Sequence, residues 1–138
     1  MAPTNSFEVY LMATAQSVIN GALRLIGVLA QGQTLQAEDS AQALEALNAM
    51  LATWPDQGID IDTSPVALAD ELQYPANHTA PIRYSLAVEL APEYEKQLSG
   101  LVMGKQERYF RGLQAYYAAP ALLSCSPMLN PYYGANRV

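Results

Sequence analysis

His78 is the only histidine in the chain, and two carboxylates, Asp70 and Glu71, precede it closely. One imidazole with two loop acids falls short of the spaced donor set that a metal ion demands. His78 is therefore expected as a surface loop residue, and no metal is expected. Cys125, the only cysteine, has prolines nearby and no histidine to activate it. The acids recur in pairs: Glu38 with Asp39, Asp60 with Asp62, Asp70 with Glu71, Glu93 with Glu95. General acid–base work would need two of them in unlike surroundings facing one cleft. Helix starts and solvated loops account for these acids more simply. Asp60-Ile61-Asp62 opens like a calcium loop but lacks the glycine and the distal glutamate. Gly27, Gly32 and Gly58 are too scattered to cradle a phosphate. Asn77-His78-Thr79 fits a glycosylation sequon, although Thr79 is better explained as a helix cap. No catalytic residue and no cofactor are expected.

One basic constellation stands out. Lys105, Arg108 and Arg111 are spaced by three, with Tyr109 and Phe110 between them. Such a row can touch nucleic acid; more often it is a solvated face, or pairs with acids on its own helix or a neighbouring subunit. These three residues are the candidates for an inter-subunit contact.

Four helices are expected to position these groups. Thr14 fits as the cap of the first, over about residues 15–30, with Val18, Ala22, Leu25 or Ile26, and Leu29 on one face and Gly32 closing it. Thr34 fits as the cap of the second, whose first turn holds Glu38 and Asp39. Its stripe is Ala37, Ala41, Leu44, Leu47, Leu51 and Trp54, and Pro55 and Gly58 end it. Residues 59–78 read as a long loop, or as a short hairpin around Ile59–Ile61 and Ala67–Leu72. Thr79 and Pro81 open a third helix with Ile82, Leu86, Leu90 and Tyr94 on its apolar side, broken or kinked at Pro92. Ser99 caps a fourth, to about Ala118, with Val102, Tyr109, Leu113 and Tyr116 along one side.

The ends differ from the middle. In residues 1–13, Phe7, Val9 and Leu11 alternate with Glu8, Tyr10 and Met12, the pattern of an extended arm or of a frayed terminus. Residues 119–138 contain three prolines and one glycine, which predict an extended tail rather than a helix. That tail nevertheless carries Leu122, Leu123, Met128, Leu129, Tyr132 and Tyr133, so it is expected to dock on something else. The fold expectation is all-α: a small four-helix bundle over 14–118, with an N-terminal arm and an extended C-terminal tail.

The chain of 138 residues suits one domain. Its net charge of −6 is uneven. Residues 1–80 hold Arg24 alone against nine acids, whereas residues 81–138 hold six bases and four acids. An acidic half argues against tight nucleic-acid binding, which rests on phosphate neutralisation. One cysteine allows no internal disulfide. The first residues lack the basic region of a signal peptide, and the apolar stretch 15–30 is too short and polar to span a bilayer. A cytoplasmic protein without a membrane partner is expected.

Three strings, RLIGVLAQG at 24–32, ALEALNAMLATW at 43–54 and LAVELAPEYEK at 86–96, resemble the head-to-tail adaptor, or head completion, proteins of tailed bacteriophages, most of all those beneath the portal in short-tailed phages. The resemblance covers roughly residues 15–118 and rests on no catalytic signature. It implies an insertion between the second and third helices and a ring of twelve subunits under the portal protein. It implies a C-terminal segment reaching up the portal, a lower face receiving a nozzle or tail-tube protein, and double-stranded DNA passing through the lumen without sequence-specific binding. The place implied is the virion neck, after assembly in the host cytoplasm. Two rival readings are a small helical DNA-binding or regulatory module, for which the hairpin 15–54 offers only Arg24 as a base, and a hydrolase using paired acids.

Overall fold

The computed structural model describes the backbone of residues 13–135 and the side chains of residues 13–118. The proposed arm 1–13 falls almost wholly outside the described residues, as do the side chains of Cys125 and of the tail residues from Leu122 to Tyr133. Four α-helices make up the described fold: α1 (Ala15–Leu25), α2 (Ala37–Thr53), α3 (Thr79–Leu90) and α4 (Gly100–Ala135). The all-α, four-helix expectation holds. Among the described residues the only β-type pairing is a single antiparallel bridge, Thr14 with Glu71.

Local chemistry sets each boundary. The Thr14 hydroxyl accepts from the Ser17 N–H at 3.1 Å and so caps α1. The helix closes at Gly27 (φ 78°) and not at Gly32, because the left-handed turn that returns the Val28 N–H to the Leu23 carbonyl requires glycine. α2 begins after Gln36, two residues beyond Thr34, and Gln36 makes no side-chain cap. Its acids Glu38 and Asp39 sit in the first turn, where the helix dipole favours them. A 3₁₀ turn, Ala76–His78, precedes α3, so Thr79 is the first helical residue rather than its cap. Pro92 ends α3 as expected: the helix stops at Leu90 and a 3₁₀ turn, Ala91–Tyr94, follows. Ser99 starts α4, its hydroxyl 3.3 Å from the Val102 N–H.

The core is a single cluster. Val18, Ile19 and Leu23 of α1 share it with Leu47 and Leu51 of α2, Trp54 at the end of α2, and Ile82, Leu86 and Leu90 of α3. The helices α1, α2 and α4 all pack on α3. Gly21 lies where α1 passes α3; a β-carbon there would stand 2.5 Å from Cδ of Arg83. The buried face of α2 runs through Ser40, Ala43, Leu47, Met50 and Leu51. Ala37 and Ala41, expected in the stripe, are exposed. They lie about 80° and 120° round the helix from Leu47, outside the sector that the larger side chains pull inward.

Residues 59–78 form no hairpin. After Gly58 (φ 87°) the chain buries Ile59 and Ile61 and leaves Asp60 and Asp62 outside. Its return half pairs with the start of α1: Ala15 N–H donates to the Asp70 carbonyl at 3.0 Å and Leu72 N–H to the Ala13 carbonyl at 2.8 Å. Asn48 of α2 clamps both backbone groups of Val66, donating to its carbonyl at 3.1 Å and accepting from its N–H at 3.0 Å.

The extended tail is the largest correction. The backbone of α4 stays helical to Ala135, past the boundary expected at Ala118. Pro120, Pro127 and Pro131 are seven and four residues apart. Each removes one intrahelical donor, but no two removals fall in the same turn, and good helix formers such as Ala121, Leu122 and Leu123 fill the intervals.

Leu51 is 3 % exposed in the middle of this core. Leu51→Ala should lower the unfolding free energy by about 2–5 kcal/mol in urea titration, the range for a buried leucine. A cost below about 0.5 kcal/mol would match a surface position and contradict the packing described.

Candidate functional site

The chemistry-bearing residues gather on α4 and on the turn that leads into α3. Lys105, Arg108 and Arg111 do not form one row. A step of three residues falls short of a full helical turn by about 60°, so the three wind around α4. Lys105 is half-buried, while Arg108 and Arg111 are exposed. Arg111 stands 3.8 Å from Glu107 one turn earlier, with the two side chains 80 % and 64 % exposed, an ion pair of little energetic weight. Arg108, Tyr109 and Tyr116 line, with Asn77 and Pro81, a cavity of about 330 Å³ between α3 and α4.

The outer surface of α4 is also apolar. Leu101 is 73 % exposed, Met103 40 % and Tyr116 51 %; these are the exposed large hydrophobic residues among those described, and all three lie on this one helix. On its inner side, Leu113 is buried and Phe110 meets Trp54 edge-on, with ring centroids 5.7 Å apart.

His78 is not a surface residue. Its exposure is 0 %, and it sits among three tyrosines contributed by two segments far apart in sequence. Tyr74 of the loop stacks on it at 6.2 Å, and Tyr116 and Tyr117 of α4 approach edge-on at 5.5 Å each. Nδ1 lies 2.8 Å from Asn77 Oδ1 and Nε2 lies 2.5 Å from the Tyr117 hydroxyl. Two acceptors cannot face each other, so the consistent assignment is Nδ1–H donating to Asn77 while Nε2 accepts from Tyr117 O–H. Burial lowers the imidazole below its ordinary value, and it raises the hydroxyls of Tyr74 and Tyr117. Nothing within the His78 tripeptide signals this burial, because Tyr117 lies 39 residues away.

No paired acid bonds to the imidazole; Asp60 and Asp62 lie behind Tyr117 and Tyr74. Asp62 turns back on its own loop, accepting from the Ser64 N–H and hydroxyl at 2.9 and 2.7 Å, which hold its carboxyl below the usual range. Asp70 accepts from the Ala67 N–H at 2.8 Å. Among the described residues, no three of histidine, cysteine, aspartate and glutamate stand close enough to hold a metal ion. No helix among them is long and apolar enough to cross a membrane. No protein-family model and no curated protein matches the chain.

Tyr117→Phe removes one hydroxyl and leaves Nε2 of a buried imidazole without a donor. The expected loss of stability is about 1–3 kcal/mol by chemical denaturation at pH 7.5, more than a surface Tyr→Phe exchange gives.

Proposed function

We propose that the chain is a structural virion protein, a head-to-tail adaptor that forms a ring between the portal and the next tail component and extends the DNA channel. The observation that carries the reading is α4. One helix of 36 residues holds the exposed large apolar residues among those described, the exposed Arg108 and Arg111, and the apolar C-terminal sequence, while its described inner side seals the core at Leu113. A helix built this way is suited to joining one chain to others.

In this reading the distal half of α4, with Leu122, Leu123, Met128, Leu129, Tyr132 and Tyr133, makes the portal contact. It does so as a helical extension and not as the extended arm that the prolines predict. Lys105, Arg108 and Arg111 face acids of the neighbouring subunit's N-terminal half, which carries most of the negative charge. The same acidity keeps DNA sliding through the lumen without being held. The nozzle or tail-tube protein docks on the opposite face of the ring.

Removing residues 120–138 should leave the thermal transition of the body within a few degrees and abolish capture by a portal ring. Full-strength capture by the truncated chain would place the anchor elsewhere. Arg108→Glu combined with Arg111→Glu should weaken ring assembly about tenfold or more in sedimentation, by setting like charges against each other. Tight duplex-DNA binding that falls steeply with salt would instead favour the DNA-binding reading.

A further inference from the structure

We infer that His78 is the pin of a pH-sensitive clasp that holds the middle of α4 against the turn before α3, and that its protonation frees α4 from Tyr116 onward while leaving the core closed.

The geometry carries the argument. Along α4, Leu113 lies in the central core and Phe110 meets Trp54, while Tyr117 packs against the edge of the same cluster. One turn further on, Tyr116 and Tyr117 are fastened to the body through His78. Beside the edge packing of Tyr117, that fastening is the Tyr117 hydroxyl on Nε2 and two edge-on ring contacts, with Tyr116 itself half exposed to solvent. The clasp is therefore the last described attachment before the distal half of the helix.

The groups that face the imidazole are phenol rings and one amide, with no carboxylate among them. From the loop comes Tyr74, whose hydroxyl donates to the Asp62 carbonyl at 2.7 Å. From the adjoining residue comes the Asn77 amide, and from α4 come Tyr116 and Tyr117. The nearest charged residues stand behind these. Asp60 acts on Tyr117 and the Asp62 carboxylate on Tyr74, while Arg108 shares the cavity lined by Asn77 and Tyr116. No carboxylate bonds to the ring, so a buried imidazolium has no counter-ion. A proton on Nε2 also ends its role as acceptor for the Tyr117 O–H.

The direction in pH follows from burial. The closed ring takes up a proton less readily than a free imidazole, whose ordinary value is 6.5. The open form therefore binds the proton first. The clasp is at full strength above pH 6.5 and weakens as the pH falls below it. One linked proton raises the open population by at most about tenfold for each pH unit over that range.

The chain contains one histidine and one tryptophan, which makes the test direct. Amide exchange over residues 114–118 is measured from pH 8 to pH 5 and corrected for the intrinsic rate, with Trp54 emission followed alongside. The expected result is opening that rises several-fold to tenfold per unit below pH 6.5 while Trp54 emission stays constant. His78→Gln, which keeps a polar group but cannot take the charge, should flatten the profile. Tyr117→Phe should raise exchange already at pH 7.5, and it keeps the idea testable if the glutamine variant folds poorly. Opening that does not change with pH, or that moves together with Trp54 emission as a global unfolding would, overturns the clasp.

Discussion

The arrangement rests on the burial of α3. Of its twelve residues, Pro81, Ile82, Tyr84, Ser85, Leu86, Ala87 and Leu90 are buried, so the helix has apolar contact on nearly every side. A helix of that kind cannot lie on a surface; it becomes the post around which the others pack. Small residues make this possible. Gly21 leaves room for the stem of Arg83, and Ser85 and Ala87 let the neighbouring backbones come close. Of the polar groups this draws inward, the Ser85 hydroxyl is answered, since Gln106 of α4 donates to it at 3.3 Å, whereas Nε of Arg83 is buried without a hydrogen-bond partner. α1 and α2 complete the shell, and the loop 59–78 closes the remaining side through Ile59, Ile61 and Leu72.

What was legible in the sequence is what large apolar side chains decide alone. Leu47, Leu51 and Trp54 are 0, 3 and 2 % exposed, as their spacing predicts, and Pro92 stops α3 where its missing donor must. Alanines misled. Ala37 and Ala41 fit a helical period but bury too little area to turn the helix toward them, and the face of α2 follows Leu47 and Met50 instead. Residue type alone does not make a threonine a cap. Thr14 fulfils the role because its hydroxyl meets the Ser17 N–H, whereas Thr34 and Thr79 lie beyond or within the helices they were to cap.

The candidate site was less legible, for a reason of distance. The environment of His78 is made by Tyr74 and Tyr117, brought together only when α4 folds back on the turn before α3. Asn48 is similar: it reads as an ordinary helix position, yet it supplies both hydrogen bonds that fix Val66, 18 residues away. Buried polar groups depend on tertiary partners, and local pattern carries little information about them. The proline-bearing end of α4 misled in the opposite sense. Local composition predicts extension; each proline removes a donor and crowds the carbonyl one turn back, yet the α4 backbone stays helical through all three, whereas α3 ends beside Pro92.

These features divide α4 into parts with separate physical duties. From Ser99 to about Leu113 its inner side is bound to the core by packing that cannot be undone without exposing Trp54 and its neighbours. At Tyr116 and Tyr117 the attachment adds to the edge packing of Tyr117 one hydrogen bond and a set of ring contacts around a titratable group. Apolar burial is insensitive to pH, whereas a neutral buried imidazole is not. The outer side of the same helix carries Leu101, Met103, Arg108 and Arg111 into solvent. A protein whose only task were to fold would gain nothing from a helix that is so long and so apolar on its outer side. The proposed joining role is consistent with such a helix, whose root is fixed by packing and whose last described attachment, at Tyr116 and Tyr117, includes a group that responds to pH.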